Sequence, residues 1–445
     1  MPNVRKIAYT VLSRVLSEGA YSAIALNAAI KEHALEKRDA SFLSALVYGV
    51  LERLLTLDEI IRQYSSIRLK KIEDKTLLVL RLGVYQLIFM DKVPDSAAVD
   101  ESVKLIKKLG LYKSSGFVNA VLRAIIRSGK QYKLPDESEP VRYLSIRYSC
   151  PEEIVSLFLD SYGQENTLQI LDDLSGRPPV TIRVNTLKTT KKELTDSLLQ
   201  QGIRVENISF LENSLNVSHT GSLENLREFQ DGMFYVQDAA SQLCCEILDA
   251  KEGETLCDVC AAPGGKSFCS AIRMNNKGKI YAYDIYPHKT QLIEKTAERL
   301  GIDIITAAIR DASENAPPLP ECDRVLCDVP CSGLGILRRK PEIRYKKDTN
   351  IDFLPQLQYS ILCMSVNSLP TGGEIVYSTC TLNPKENRKV VERFLSEHKD
   401  FSPVPIELSA GFCRRIEEPS YMLTILPGFD NTDGFFVAKL RKGSS

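Results

Sequence analysis

The stretch that decides the fold reads Leu256-Cys-Asp-Val-Cys-Ala-Ala-Pro-Gly-Gly-Lys-Ser267. It predicts an apolar strand that runs into a turn of small residues, followed by the start of a helix. Small residues let the backbone approach a ligand closely, and the free N–H groups at a helix start can then bind it. The turn has neither the Gly-x-Gly-x-x-Gly pattern of dinucleotide-binding proteins nor the Gly-Lys spacing of a phosphate-binding loop. It therefore predicts a ligand site of another kind.

An acidic residue, Asp284, ends the next predicted strand, twenty positions after Gly264. A carboxylate at that place can accept hydrogen bonds from both hydroxyls of a ribose. A ribose joined to a tail without phosphate fits S-adenosylmethionine better than it fits a nucleotide. The alternative is that Asp284 only caps the helix that begins near Pro287.

Around this stretch, from residue 236 to the end, predicted strands alternate with predicted helices. The predicted strands are Thr255–Val259, Ile280–Asp284, Arg324–Asp328, Glu374–Ser378 and Phe435–Lys439. This alternation predicts a Rossmann-like α/β domain over residues 236–445, with a mainly parallel sheet covered by helices. Ligands of such sheets bind outside the carboxyl ends of the strands.

The first 134 residues have helical periodicity only and predict an all-α domain. Its predicted helices cover residues 4–16, Asp39 to about Gln63, Lys75–Met90, Asp95–Gly110 and Ser115–Arg127. After a polar linker at Pro135–Glu139, residues 140–235 predict a small α+β module. The module has predicted strands at Val180–Asn185 and Ile203–Val205 and a predicted helix at Lys191–Gly202.

The charges are unevenly distributed, although the formal net charge is zero. Residues 1–133 contain 22 Lys and Arg against 13 Asp and Glu, and the rest of the chain contains 35 against 44. A basic front half is typical of a protein that binds a polyanion, whereas solvated helix faces are the alternative explanation. The longest apolar run, Leu77–Met90, is too short to span a bilayer, and no signal-peptide core is present. We therefore expect a cytoplasmic protein without membrane contact, with a monomer as the default.

Twelve cysteines in a chain without a secretion signal predict free thiols. Two of them follow predicted strands: Cys331 in Cys327-Asp-Val-Pro-Cys-Ser-Gly-Leu-Gly335, and Cys380 in Val376-Tyr-Ser-Thr-Cys-Thr-Leu-Asn-Pro384. Because the carboxyl ends of parallel strands meet at one edge, both thiols should face the crevice that holds the ligand. A buried, inert thiol is the alternative for each. A zinc site is a further alternative, with the ligands Cys257, Cys260, Cys327 and Cys331.

Three motifs, Pro-Gly-Gly-Lys, Asp-x-Pro-Cys-Ser-Gly and Ser-Thr-Cys-Thr, resemble in this order those of the RNA cytosine-5 methyltransferases. The helical front resembles the RNA-binding fold of the antitermination factor NusB. The ending, Leu426–Leu440, resembles the closing strands of the subgroup that acts on bacterial small-subunit ribosomal RNA. The resemblance covers essentially the whole chain. It implies a NusB-like domain at 1–134, an RNA-binding or linking module at 140–235, and a class I methyltransferase domain at 236–445.

The resemblance also implies roles for single residues. Cys380 would add to carbon 6 of cytosine, which lets carbon 5 attack the methyl group, and Cys331 would be the base that releases the product. Asp328 would hold and protonate ring nitrogen 3. Independently of the resemblance, Cys380 needs local activation, for which a helix after Pro384 and Lys266 are candidates. The cofactor S-adenosylmethionine would be held by Cys260, Ala261, Ala262, Pro263, Gly264, Gly265, Lys266, Asp284, Asp311 and Asp328, without a metal.

The implied partner is 16S ribosomal RNA, with transfer RNA or another RNA as the alternative. Two other functions stay open at this point. One is a catalytically idle factor whose basic front binds RNA. The other is a DNA cytosine methyltransferase, which uses the cysteine of its Pro-Cys motif as the nucleophile. The presence of Cys380, Cys331 and Asp328 together favours an RNA methyltransferase.

Overall fold

The computed structural model describes residues 3–176, 178–314, 318–346 and 353–444. The chain divides into two compact units. The first contains residues 3–176 and a later segment, 337–346, and the second contains the other described residues.

The first unit is helical, as predicted. Its helices are α1 (Val4–Glu18), α2 (Ser22–Glu32), α3 (Lys37–Glu52), α4 (Leu54–Tyr64), α5 (Asp74–Phe89), α6 (Asp95–Lys108), α7 (Ser115–Arg127), α8 (Pro140–Tyr148) and α9 (Glu152–Asp173). Short 3-10 turns lie at Leu69–Lys71, Tyr112–Ser114 and Pro341–Tyr345. Aliphatic side chains of α1 to α7 form one core between these helices.

Two features of this unit differ from the sequence prediction. The helix expected from Asp39 to Gln63 is two helices, because the backbone at Arg53 leaves the helical conformation (φ −122°, ψ 19°). The sequence predicted a module boundary at residue 140, whereas α8 and α9 belong to the helical unit. Hydrogen bonds explain this, since Ser149 Oγ accepts from Leu55 N at 2.8 Å and Thr56 Oγ1 donates to Ile146 O at 2.6 Å.

The segment 337–346 is fixed in the helical unit by buried charged side chains. Glu342 accepts hydrogen bonds from the backbone N and Oγ of Ser22, at 3.0 and 2.8 Å. Arg344 donates to the carbonyl oxygens of Ser149 and Leu174, at 3.2 and 3.4 Å. A buried charge is costly unless it is hydrogen-bonded, so these contacts stabilise the segment in place.

The second unit begins with a small antiparallel sheet. Its elements are β1 (Val180–Val184), α10 (Lys191–Gln200), β2 (Arg204–Asn207), β3 (Ser214–Ser218), α11 (Arg227–Gln230) and β4 (Phe234–Val236), with a 3-10 turn at Leu223–Asn225. The strand order is β2-β3-β1-β4. Thr190 and Glu193 form a reciprocal capping box that starts α10. The predicted α+β character of this region is confirmed.

A larger sheet forms the rest of the second unit. Its elements are α12 (Ala239–Leu248), β5 (Thr255–Asp258), α13 (Gly265–Arg273), β6 (Lys279–Asp284), α14 (Pro287–Leu300), β7 (Ile305–Ile309), β8 (Arg324–Asp328), α15 (Leu354–Ser365), β9 (Glu374–Thr379), α16 (Arg388–Glu397), β10 (Phe401–Pro403), β11 (Met422–Ile425) and β12 (Phe435–Lys442), with a 3-10 turn at Val366–Ser368. The order is β10-β12-β9-β8-β5-β6-β7, and β11 pairs with β12. Strands β5 to β9 are parallel, and β10, β11 and β12 pair antiparallel. The predicted, mainly parallel sheet is confirmed.

The helix predicted from about Lys385 begins later, at Arg388. The residues before it form a turn in which Asn383 Oδ1 accepts from Lys385 N at 3.2 Å and Asn383 O accepts from Glu386 N at 3.0 Å. Within the described residues, no single helix has the length and hydropathy of a membrane span. Helices α3 and α4 reach those values only as a pair, which is bent by 77°.

Candidate active site

Two cysteines meet at the carboxyl ends of neighbouring parallel strands. β8 ends three residues before Cys331, and β9 ends directly before Cys380. Their Sγ atoms lie 3.1 Å apart, although 49 positions separate them along the chain. Both thiols are half-buried, and neither forms a disulfide. The structure therefore brings together the two cysteines that the sequence placed at one edge of the sheet.

Direct contacts hold together the Cys331 loop, which follows β8, and the Cys380 loop, which follows β9. Ser332 Oγ and Thr381 Oγ1 are 2.7 Å apart, and Gly335 N donates to Cys380 O at 3.0 Å. Gly335 also contacts the backbone that precedes β12, because its carbonyl oxygen accepts from Gly434 N at 2.8 Å. A Cβ atom on Gly335 would lie 2.0 Å from Gly434 O, so only glycine fits this position.

The two thiols interact electrostatically. The hydrogen bond to Cys380, burial, and the charges of Cys380 and Glu386 together raise the pKa of Cys331 well above its usual value. These groups therefore disfavour a thiolate at Cys331. A thiolate is a far better nucleophile than a thiol.

Asp328, at the end of β8, is held through both carboxylate oxygens. Lys266 Nζ donates to Oδ2 at 2.7 Å, and Ser378 Oγ donates to Oδ1 at 2.7 Å. Burial disfavours the charged form of Lys266, but the negative charges around it, above all that of Asp328, leave its pKa above the usual value. Lys266 is thus paired with Asp328, whereas the sequence suggested it as a candidate activator of Cys380.

The turn from Cys260 to Lys266 joins β5 to α13. Gly264 has a left-handed backbone (φ 101°), and a Cβ atom there would lie 2.4 Å from the Phe268 ring. The peptide bond between Ala262 and Pro263 is cis. The N–H groups of the first turn of α13, which starts at Gly265, have no partner within the helix and can bind a ligand.

A buried carboxylate lies beneath this turn. Asp258, at the end of β5, is 1% exposed and accepts a hydrogen bond from Ser267 Oγ at 2.6 Å. Burial, which outweighs the hydrogen bond, raises the pKa of Asp258 to about 7. The sequence analysis did not single out this residue, although it lies within the quoted stretch.

The two other predicted cofactor acids lie at the ends of β6 and β7. Asp284 is buried, accepts from Tyr286 N at 3.1 Å, and pairs with Lys289 Nζ at 3.4 Å. Asp311 Oδ1 accepts from the N and Oγ of Ser313, at 2.8 and 2.6 Å. The bond from Arg310 N to Asp284 O, at 3.1 Å, keeps the two strand ends adjacent.

The residues at this edge fit S-adenosylmethionine. The side chains of Ile285, Tyr286 and Ile309, at the same strand ends, are about half exposed and give an apolar surface for a flat ring. Gln237, two residues before α12, was not among the predicted site residues. Its buried Nε2 atom has no protein partner among the described residues, and a Cβ atom on Gly265 would lie 3.4 Å from it.

The zinc alternative has no set of ligands in the structure. Across residues 3–176, 178–314, 318–346 and 353–444, no group of three or more His, Cys, Asp or Glu side chains is arranged to hold a metal ion. Cys257 and Cys327 are fully buried in the core around the sheet. Two of the four proposed ligands are therefore packing residues.

Comparison with known families gives matches over three stretches of the chain. The family described as 16S rRNA methyltransferase RsmB/F matches residues 245–441, the NusB family matches 2–127, and a ferredoxin-like domain of RsmF/B-like methyltransferases matches 150–224. The chain is 36% identical to a probable ribosomal RNA small subunit methyltransferase B of Bacillus subtilis (strain 168), over 99% of both chains. The chain belongs to the RsmB/F methyltransferase family.

Other relatives agree with this membership. A ribosomal RNA small subunit methyltransferase B of Pectobacterium atrosepticum is 30% identical over 99% of each chain. A solved structure named PH0851 matches with a TM-score of 0.83 at 26% identity, over 99% of both chains. A methyltransferase homolog protein of Pyrococcus horikoshii matches with a TM-score of 0.59 at 27% identity, over 68% of this chain and 99% of that one. The predicted fold class and the cofactor, S-adenosylmethionine, are thereby confirmed for this RsmB/F methyltransferase.

Proposed function

We propose that this RsmB/F methyltransferase transfers a methyl group to carbon 5 of a cytosine in 16S ribosomal RNA. The observation that carries the proposal is the 3.1 Å distance between the Sγ atoms of Cys331 and Cys380. Their strands, β8 and β9, are neighbours, and β8 also pairs with β5, whose end starts the cofactor turn. The substrate class is supported by relatives that are named as small-subunit ribosomal RNA methyltransferases.

Cys380 is the nucleophile in this proposal. S-adenosylmethionine, when bound, would supply its methyl group as an electrophile, and its sulfur would keep the electron pair of the bond that breaks. Carbon 5 of cytosine is too weak a nucleophile to take it unaided. Cys380 Sγ therefore forms a bond to carbon 6, and the electron pair of the bond between carbons 5 and 6 moves towards carbon 5, which can then bond to the methyl carbon.

Asp328 holds the cytosine edge during this addition. Lys266 and Ser378 fix both of its oxygens, so the carboxylate has one orientation. We assign to Asp328, when it carries a proton, the contact with ring nitrogen 3 and the transfer of that proton to it, which offsets the charge that enters the ring. When the ring regains its double bond, and before the product leaves, the same proton returns from nitrogen 3 to Asp328.

Cys331 completes the reaction. Its thiolate takes the proton from carbon 5, and the electron pair of that bond restores the double bond between carbons 5 and 6. The bond between carbon 6 and sulfur breaks, and its electron pair returns to Cys380. The raised pKa of Cys331 makes its thiolate a strong base for this step.

The cofactor contacts follow the predicted positions. The backbone of Cys260, Ala261, Ala262, Pro263, Gly264, Gly265 and Lys266 would surround the methionine part. Asp284 would accept the ribose hydroxyls, and Asp311 would contact the adenine. The target cytosine must be unstacked, because a thiol reaches carbon 6 only from above the ring. We assign RNA binding to the basic residues 1–133 of a monomeric enzyme, and we expect this binding to weaken with salt.

Single cysteine variants test the reaction. Each is mixed with 16S ribosomal RNA and cofactor carrying a labelled methyl group, and covalent adducts are separated on denaturing gels. We expect Cys331→Ser to accumulate a protein–RNA adduct, Cys380→Ser to form none and to transfer no methyl group, and Cys413→Ser, which changes an exposed thiol, to match the wild type. Bisulfite sequencing then locates the modified cytosine.

Other outcomes would contradict the proposal in distinct ways. Methyl transfer by Cys380→Ser would remove that residue from its role, and adduct formation that depends on Cys331 would favour the DNA-type mechanism. Methylation of transfer RNA in place of ribosomal RNA would change the substrate. The absence of any methyl transfer by the wild type would favour the idle RNA-binding factor.

A further inference from the structure

Glu386 is a buried carboxylate that the proposed reaction does not use. It is 0% exposed and lies in the turn between Cys380 and α16. Its three hydrogen-bond donors are neutral: Ser332 N at 2.8 Å and Gln358 Nε2 at 2.9 Å on Oε2, and Asn383 Nδ2 at 3.0 Å on Oε1. A buried carboxylate with only neutral partners is costly for folding, and such groups cluster at functional sites.

Glu386 contacts the residue after Cys331 directly and the residue before it through Gln358. Ser332, directly after Cys331, donates its backbone N–H to Glu386. Pro330, directly before Cys331, accepts at 2.9 Å from the same Gln358 Nε2 that donates to Glu386. Glu386 is itself anchored, because its carbonyl oxygen accepts from Tyr377 OH at 2.6 Å. A residue of the Cys380 loop thus fixes the chain on either side of Cys331.

We propose that Glu386 is a positioning residue that holds the Cys331 loop against the Cys380 loop and, through its buried charge, keeps the single proton of the sulfur pair on Cys331. The inference rests on the proposed function, since it explains how two adjacent thiols take different roles. A negative charge near Cys331 opposes a second negative charge on that sulfur. Cys380 then carries the thiolate.

The other groups around Cys331 do not supply this asymmetry. Cys331 and Cys380 compete for the same proton, so the pair by itself favours neither sulfur. Burial and nearby negative charges raise the pKa of Tyr377 well above its usual value, so its hydroxyl stays neutral. Asp328 is paired with Lys266. Glu386 is the remaining carboxylate whose charge raises the pKa of Cys331.

The different protonation of the two sulfurs also sets the order of the two steps, attack by Cys380 and proton removal by Cys331. While Cys380 is a thiolate, the thiol of Cys331 donates to it. After Cys380 has bonded to carbon 6, its sulfur is a neutral thioether and a poor acceptor. The proton of Cys331 then leaves to water, and the resulting thiolate takes the proton from carbon 5. Nucleophile and base are therefore generated in sequence from one pair of thiols.

Thiol alkylation tests the inference without RNA or cofactor. In the Cys380→Ser chain, iodoacetamide labelling of Cys331 is followed by peptide mass spectrometry over a pH series. The midpoint should lie above the ~8.5 of a free thiol. Adding Glu386→Gln should lower it by about one pH unit, the lower end of the shift expected for a neighbouring charge. Glu386→Asp, which keeps the charge, should restore most of the difference.

A matched control is Glu392→Gln, which neutralises a largely exposed carboxylate on α16 and should leave the midpoint unchanged. The inference is overturned by a midpoint at or below ~8.5 in the Cys380→Ser chain. It is also overturned if Glu386→Gln does not shift the midpoint. The same holds if Glu386→Asp or Glu392→Gln shifts the midpoint as far as Glu386→Gln does. If Glu386→Gln shows no cooperative thermal melt and is therefore unfolded, the inference is judged on the labelling midpoints of the Cys380→Ser chain with and without Glu386→Asp. Because no methyl transfer is measured, this outcome is separate from that of the adduct experiment.

Discussion

Lys266 and Asp328 form an ion pair of 2.7 Å that joins the cofactor turn to the loop of Cys331. The two side chains are 12% and 27% exposed, so water screens the pair only in part. The contact connects the first turn of α13 to the end of β8. One lysine therefore couples the residues that would hold the cofactor to the residue that would hold the cytosine.

Replacing Lys266 with methionine should impair methyl transfer strongly. The change keeps most of the side-chain volume but leaves Asp328 without its cation. We expect a fall of about a hundredfold in kcat, similar to the loss of one well-placed electrostatic contact in an active site. The control is Lys277→Met, which removes an exposed pair with Glu252. A kcat for Lys266→Met within twofold of the wild type would contradict the coupling.

Asp258 should make stability depend on pH. Its pKa of about 7, raised by burial, lies above the ~3.9 of an unfolded aspartate. Between these two values the folded chain keeps a proton that the unfolded chain has lost, so this group's contribution to stability falls as pH rises from about 4 to about 7. Asp258→Asn removes the effect.

The measurement compares unfolding by urea at pH 4.5 and pH 7.5. The stability of Asp258→Asn relative to the wild type should increase by a few kcal/mol over this range, since one pKa unit corresponds to ~1.4 kcal/mol. The exposed substitution Asp303→Asn should run parallel to the wild type. Parallel curves for Asp258→Asn would show that Asp258 ionises normally in the folded chain.

The sequence predicted much of the large sheet, because its strands are apolar and end in turns of small residues. The carboxyl-edge rule then placed Cys331 and Cys380 on one side. The rule could not predict that the two sulfur atoms lie 3.1 Å apart. That distance depends on loops that meet only after folding, as Gly335 and Gly434 do. Strand β7 was not predicted because Ile-Thr-Ala-Ala-Ile is short and contains two alanines, which are uncommon in strands.

Glu386 shows most clearly what the sequence could not reveal. In Asn383-Pro-Lys-Glu-Asn387 it reads as part of a polar turn before a helix, where solvent exposure is expected. Its burial comes from Gln358 on α15 and Ser332 after β8, which are distant in sequence. The break between α3 and α4 at Arg53 was hidden for a related reason, since no glycine or proline marks it.

Gly335→Ala should separate the cysteine loops. The added methyl group would lie 2.0 Å from Gly434 O and 2.9 Å from Cys380 O, and backbone atoms cannot move aside cheaply. We expect a loss of about 1–3 kcal/mol in stability, typical of overpacking, and at least tenfold slower methyl transfer. Gly116→Ala, on the exposed side of α7 with open space around it, should be neutral or slightly stabilising. Full activity of Gly335→Ala would mean that this backbone contact does not set the sulfur geometry.

Asp284→Asn separates the two explanations of that residue. The amide oxygen can still accept from Tyr286 N, so the turn before α14 is retained and stability should change by less than about 1 kcal/mol. The amide cannot accept from two ribose hydroxyls as a carboxylate does. We therefore expect calorimetry to show binding of S-adenosylhomocysteine weakened about tenfold or more, as for the loss of a hydrogen bond to a charged group. The exposed Asp196→Asn on α10 is the control. Unchanged affinity together with a lower melting temperature would make Asp284 a structural cap, and the ribose contact would have to come from another residue of the β6 and β7 ends.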